Sequence, residues 1–89
     1  MLRLERAEDA HTGVTLHVHG RIGGEWVTEF ERACDEAIAQ CGPPLRLDLL
    51  RVTYIDQAGL AALRRLWPQL TIVRASLFAR ELLKPIEHD

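Results

Sequence analysis

The stretch that most constrains this chain runs from Glu25 to Cys41. Trp26, Val27, Phe30, Ala33, Cys34, Ala37, Ile38 and Cys41 recur at three- and four-residue steps, and Glu29, Glu31, Arg32, Asp35, Glu36 and Gln40 fill the other positions. That period predicts an amphipathic helix whose apolar stripe must be covered by a sheet. Gly42-Pro43-Pro44 stops it. On both sides of this helix the pattern changes to alternation. Before it, Leu2 to Ala7 alternates, Glu8 to Gly13 reads as a turn, and Val14, Leu16 and Val18 share one side of a run that reaches His19. The two runs predict a hairpin, and Gly20 and Gly23-Gly24 break the pattern. After the helix, Leu45, Leu47 and Leu49 line one side of a third strand from Leu45 to Leu50, and Val52 to Ile55 carries the chain to a junction.

From Ala58 the helical period returns. Leu60, Leu63 and Leu66 or Trp67 share a face, Arg64 and Arg65 point outward, and Pro68 keeps this second helix short. Leu70 to Ala75 reads as a fourth strand. Ser76 is a suitable N-cap for a last helix from Leu77 to about Lys84, which Pro85 ends. The order is therefore β-β-α-β-α-β-α. Strands that alternate with helices imply right-handed parallel crossovers. The expected architecture is α/β: a four-stranded mixed sheet with three helices on one face, in a single domain over residues 1–89.

Composition narrows the function. Hydrophobic residues make up 47% and charged residues 27%, with a net charge of −2. This is not the basic footprint of a nucleic-acid binder, so no nucleic-acid partner is expected. No apolar run approaches the roughly 18 residues of a membrane span, and the opening MLRLERAEDA carries acid where a signal peptide is apolar. Cys34 and Cys41 stand about 10 Å apart along one helix, too far for a disulfide with each other. They read as small core residues. A cytoplasmic protein without direct membrane insertion is the expectation.

The junction "VTYIDQAGLAAL" draws the functional reading. Ligand sites in open α/β sheets form beyond the carboxyl ends of the strands, and Asp56 lies at that end of the third strand. Its carboxylate can cap the second helix by accepting from the amides of Ala58 and Gly59. Gly59 removes a side chain from the first turn and so allows close approach of backbone or phosphate. Capping and relief of crowding also account for both residues without any function.

Chemistry elsewhere is thin. His17 and His19 share a strand face, and a His-x-His pair binds metal when a third ligand is near. Asp48 or Glu25 could be that ligand, but the histidines with Arg46 and Asp48 read better as a polar, solvated sheet face. Cys34 lies on the apolar helix side with no base in reach. Gly20 and Gly23-Gly24 do not match a phosphate loop or a dinucleotide fingerprint. No catalytic residue, metal or cofactor is expected. Trp26 and Phe30 could mark an exposed partner patch, but their spacing places them in the core.

The stretch "LRLDLLRVTYIDQAGLAAL" resembles the signature of the STAS domain, found in sulphate transporters and anti-sigma factor antagonists. "VTLHVHGRI" resembles that family's second strand and "VRASLFAREL" its final strand and helix, so the resemblance covers about Val14 to Leu83. It implies a small non-catalytic binding module that engages a protein partner through Asp56, Gln57, Ala58, Gly59 and Leu60. Stand-alone bacterial members bind a serine kinase that is also an anti-sigma factor, and phosphorylation of a hydroxyl just before the motif glycine releases it. The added negative charge and bulk explain the release. Here that position is Ala58, which carries no hydroxyl, and Gln57 before it cannot serve. Thr53 and Tyr54 lie nearby, and Ser76 is a possible secondary acceptor that reads better as an N-cap. The second helix is also shorter than is usual in the family. Some STAS proteins instead support the ATPase of lipid-transport ABC complexes, and their motifs often lack the acceptor as well. Both readings stand on the sequence, and nucleotide binding and the oligomeric state stay open.

Overall fold

The computed structural model describes residues 1–87. The elements follow the expected order: β1 (Leu2–Asp9), β2 (Gly13–Ile22), α1 (Trp26–Cys41), β3 (Leu45–Ile55), α2 (Gln57–Leu66), a 3₁₀ turn (Trp67–Gln69), β4 (Leu70–Ala75) and α3 (Leu77–Glu87). The sheet runs β1-β2-β3-β4. β1 pairs antiparallel with β2, while β2, β3 and β4 are parallel neighbours. The hairpin closes where the Asp9 carboxylate accepts from the amides of His11 and Thr12 at 2.7 and 3.2 Å.

One hydrophobic core lies between the sheet and the helices. Val14, Leu16 and Val18 of β2 and Leu45, Leu47 and Leu49 of β3 meet Phe30, Cys34 and Ala37 of α1, Leu63 and Leu66 of α2, and Leu83 of α3. Phe30, Leu47, Leu49, Leu63 and Leu66 are fully buried. Each such side chain contributes about 1.5–3 kcal/mol relative to an exposed position. Arg65 of α2 joins the outer sides of two helices, with hydrogen bonds to Glu31 at 2.9 Å and Asp35 at 3.0 Å on α1.

The strands depart from the sequence reading in an informative way. β2 continues through Gly20 to Ile22 because Gly20 has strand partners on both sides, Leu2 and Val52. β3 is one strand of eleven residues, not a strand followed by a connector. Against β2, His17 pairs with Asp48 but His19 pairs with Arg51, and Gly20 pairs with Val52 but Arg21 with Tyr54. β3 therefore carries an extra residue at two places. Each bulge shifts the inward positions to a three-residue step, so Leu49, Val52 and Ile55 all face the core. Strict alternation cannot see a strand that slips in this way.

Three further expectations are corrected. α3 passes through Pro85 to Glu87. Proline in the last turn removes one hydrogen bond, and Ile86 holds that turn by burial in the core. Cys41 is exposed, not core, because it closes α1, where its sulfur accepts from Arg6 at 3.2 Å. Trp26 is 37% exposed, whereas Phe30 is fully buried as its spacing implies. Cys34 is also buried, and burial with the nearby Asp35 pushes its thiol up to about 12. It is therefore a packing residue at neutral pH.

Candidate functional site

The carboxyl ends of β2 and β3 lie side by side, and the loops that leave them are joined. Asp56 makes the joint. Its Oδ1 accepts from the Gly59 amide at 2.8 Å, which caps α2. Its Oδ2 accepts from the Gly24 amide at 2.8 Å, in the loop before α1. Its own amide donates to the Ile22 carbonyl at 3.2 Å. The cap foreseen in the sequence is present, but the second strong donor is Gly24 and comes from the other loop. Hydrogen bonds from Gly59 and Gly24 hold the Asp56 carboxyl below the usual carboxylate range.

Gly59 explains how the loops come so close. A Cβ built on it would lie 2.2 Å from the Ile22 carbonyl oxygen. No rotamer relieves a clash of backbone with a Cβ, so only glycine allows α2 to start against the end of β2. The clearance that the sequence suggested is thus filled by the protein's own backbone. Gly59 is buried and supports the surface from beneath.

Gln57 and Ala58 are exposed on the first turn of α2, and Leu60 is half-buried. Gln57, Leu60, Ala61 and Arg64 line an open groove along this helix. Beside the junction lies an open hollow of about 330 Å³ that includes Arg21, Glu25, Trp26, Tyr54 and Asp56. Tyr54 is 41% exposed, and the Arg21 guanidinium stacks 4.8 Å from its ring centre. Sequence reasoning missed this aromatic wall. Trp26 looked like a core residue, and the position of Tyr54 depends on the second bulge in β3.

The hydroxyls of Thr53 and Ser76 have structural work. Thr53 Oγ1 donates to the Gly20 carbonyl at 3.2 Å. Ser76 Oγ accepts from the Ala79 amide at 3.1 Å and donates to the Val52 carbonyl at 3.3 Å, so it is the N-cap expected of it. Ala58 presents a methyl group.

The histidines lie on the sheet face opposite the helices. His17 Nδ1 donates to Asp48 Oδ2 at 2.7 Å, and His19 Nε2 lies 3.2 Å from Glu5. Glu25 is not with them but lines the hollow beside Trp26. Asp48 is 4% exposed, so this face is not uniformly solvated as the sequence implied. Side chains from β2 and β4 cover it. Among the described residues, no group of three His, Cys, Asp or Glu side chains is placed to hold a metal ion. No described helix is long and apolar enough to cross a membrane.

No family model matches this chain, and neither does any curated protein. Among solved structures, it is similar to the anti-sigma factor antagonist SpoIIAA in its unphosphorylated form. The TM-score is 0.72 at 12% identity, over 92% of this chain and 78% of that one. At that identity the likeness shows the fold. The four-stranded mixed sheet with three helices, in the order β-β-α-β-α-β-α, is the STAS fold, and the resemblance read in the sequence holds at that level.

Proposed function

We propose that this protein is a non-catalytic binding module of the anti-sigma factor antagonist type, which docks a kinase-type anti-sigma factor through the β3–α2 junction. One observation carries the reading. The first turn of α2 presents Gln57 and Ala58 on a base that Asp56 and Gly59 lock to the neighbouring loop. Aromatic and arginine side chains, the residue types that dominate binding hot spots, stand alongside as Arg21, Trp26 and Tyr54. Asp56 and Gly59 position this surface, while Gln57, Ala58 and Leu60 offer contacts. The similar solved structure is itself an anti-sigma factor antagonist.

Ala58 stands where relatives carry the regulatory hydroxyl. Its methyl cannot take a phosphate, so release must come through the partner, or binding is constitutive. The same absence favours a second reading, a STAS subunit that supports a lipid-transport ATPase.

Affinity capture from the native lysate, with and without ATP, separates the two. A serine kinase identifies the first, and a transport ATPase the second. With the captured partner, Ala58→Glu should weaken binding by about tenfold or more, because it buries an unpaired charge in the interface. Equal affinities for the variant and the parent protein in calorimetry would remove the junction from the interface.

A further inference from the structure

The helix-free face of the sheet gathers cationic side chains around one buried carboxylate. Asp48 Oδ1 accepts from the Leu50 amide at 3.0 Å. Its Oδ2 accepts from His17 Nδ1 at 2.7 Å and from Arg74 Nε at 3.1 Å, with a second bond from the same guanidinium. Both oxygens are thus committed within the protein, and the side chain is only 5% exposed. Asp48 acts as an anchor and not as a ligand. It fixes the orientation of His17 and Arg74, whose side chains remain 34% and 58% exposed.

His17, His19, Arg51 and Arg74 converge with Asp48 on a hollow of about 40 Å³. Arg51 makes no ion pair among the described residues. Arg46, next to Thr15 and Thr71 in the sheet, adds a further cation, and its buried Nε has no hydrogen-bond partner among the described residues. Glu5 and Asp9 are the other carboxylates on this face: Arg3 at 3.5 Å and His19 at 3.2 Å share Glu5, while Asp9 accepts from the hairpin amides of His11 and Thr12. Arg3, Arg46, Arg51 and Arg74 therefore outnumber Glu5, Asp9 and Asp48 by four to three before either histidine is protonated. This excess sits on a chain whose net charge is −2.

We propose that this hollow binds a single tetrahedral oxyanion, phosphate or sulphate, either free or carried on a larger molecule. Guanidinium groups match oxyanions in geometry and charge. The space suits one such group and is far below the roughly 300 Å³ at which small-molecule pockets begin. An anion between the histidines favours their protonated forms, so binding takes up protons. Affinity for an anion of fixed charge is therefore greater at acid than at alkaline pH. The site does not depend on the partner-binding reading, since it uses a different part of the molecule.

Calorimetry and NMR of the whole protein with inorganic phosphate, and separately with sulphate, test this against chloride at matched ionic strength. Saturable binding is expected, with shifts centred on His17, His19, Arg51 and Arg74. Sulphate, whose charge is the same across this range, should bind about tenfold tighter near pH 6 than near pH 8. Arg51→Gln should lower it by about tenfold while the melting temperature stays unchanged. A phosphoserine peptide run in parallel distinguishes the sources. Tighter binding of the peptide assigns a carried phosphate, and equal or weaker binding assigns the free anion. Responses to phosphate and sulphate that merely match chloride would overturn the site. So would saturable binding that both Arg51→Gln and His17→Gln leave intact.

Discussion

Two aspartates, one within β3 and one just past its end, do opposite kinds of work. Asp48 lies in the first half of β3, and Asp56 is the first residue beyond its end. Both carboxyls lie below the usual carboxylate range. Asp56 is held there by backbone amides, those of Gly59 and Gly24. For Asp48, burial pushes the carboxyl up, and hydrogen bonds from Arg74, the Leu50 amide and His17 more than offset that push. Backbone donors come with the course of the chain, so Asp56 ties two loops whatever the nearby side chains are. Side-chain donors are themselves charged or titratable. Asp48 therefore orders a cluster whose properties single substitutions can alter.

The largest break in this contrast should come from Gly59→Ala. It forces a Cβ against the Ile22 carbonyl, and a loss of about 3 kcal/mol or more is expected. That corresponds to a drop in melting temperature of at least about 12 °C. A shift of only a degree or two would mean that the two loops can separate easily. Asp48→Asn should be milder, about 1–3 kcal/mol in urea unfolding, because Arg74 and His17 can turn to water once the charge is gone. If it proved more damaging than Gly59→Ala, the sheet face would be the more rigid of the two regions.

Asp56→Ala should lower the melting temperature by less than Gly59→Ala, and Asp56→Asn by less still, since an amide oxygen can also cap a helix. Amide hydrogen exchange should report the loss at both Gly24 and Gly59. Exchange that quickens at Gly59 alone would break the link between the loops. The smallest effect is the dependence on pH. Each carboxyl has a lower pKa folded than unfolded. Its contribution is present above the unfolded value, near 4, and is lost as pH falls through the folded one. Urea titrations at a series of acid pH values should give a shallower acid limb for Asp48→Asn than for the parent protein. Superimposed limbs would show that Asp48 has no part in it.

Much of the fold was legible because its elements obey simple periods. The stripe on α1, the Gly-Pro-Pro stop, the Ser76 cap and the Asp56 cap each depend on residues close in sequence. What escaped depends on residues far apart. The burial of Asp48 comes from His17 and Arg74, which two different strands bring to it. The bulges that keep β3 continuous are defined only against β2. Trp26 satisfies the helical period, yet it sits in the first turn at the end of the sheet, where the core has ended. For the same reason Cys41, in the last turn, is exposed. Gly59 was recognised as a site of close approach, but periodicity could not say that the approaching group was Ile22.

The tether between Gly24, Asp56 and Gly59 has a consequence for the thermodynamics of docking. A partner that meets this surface finds both loops already fixed, so little conformational entropy remains to be lost on contact. Heat-capacity changes on association should then match the apolar area buried at the interface, with no added contribution from folding. On the proposed reading, a surface built this way serves as a rigid template, and any adjustment of shape falls to the partner.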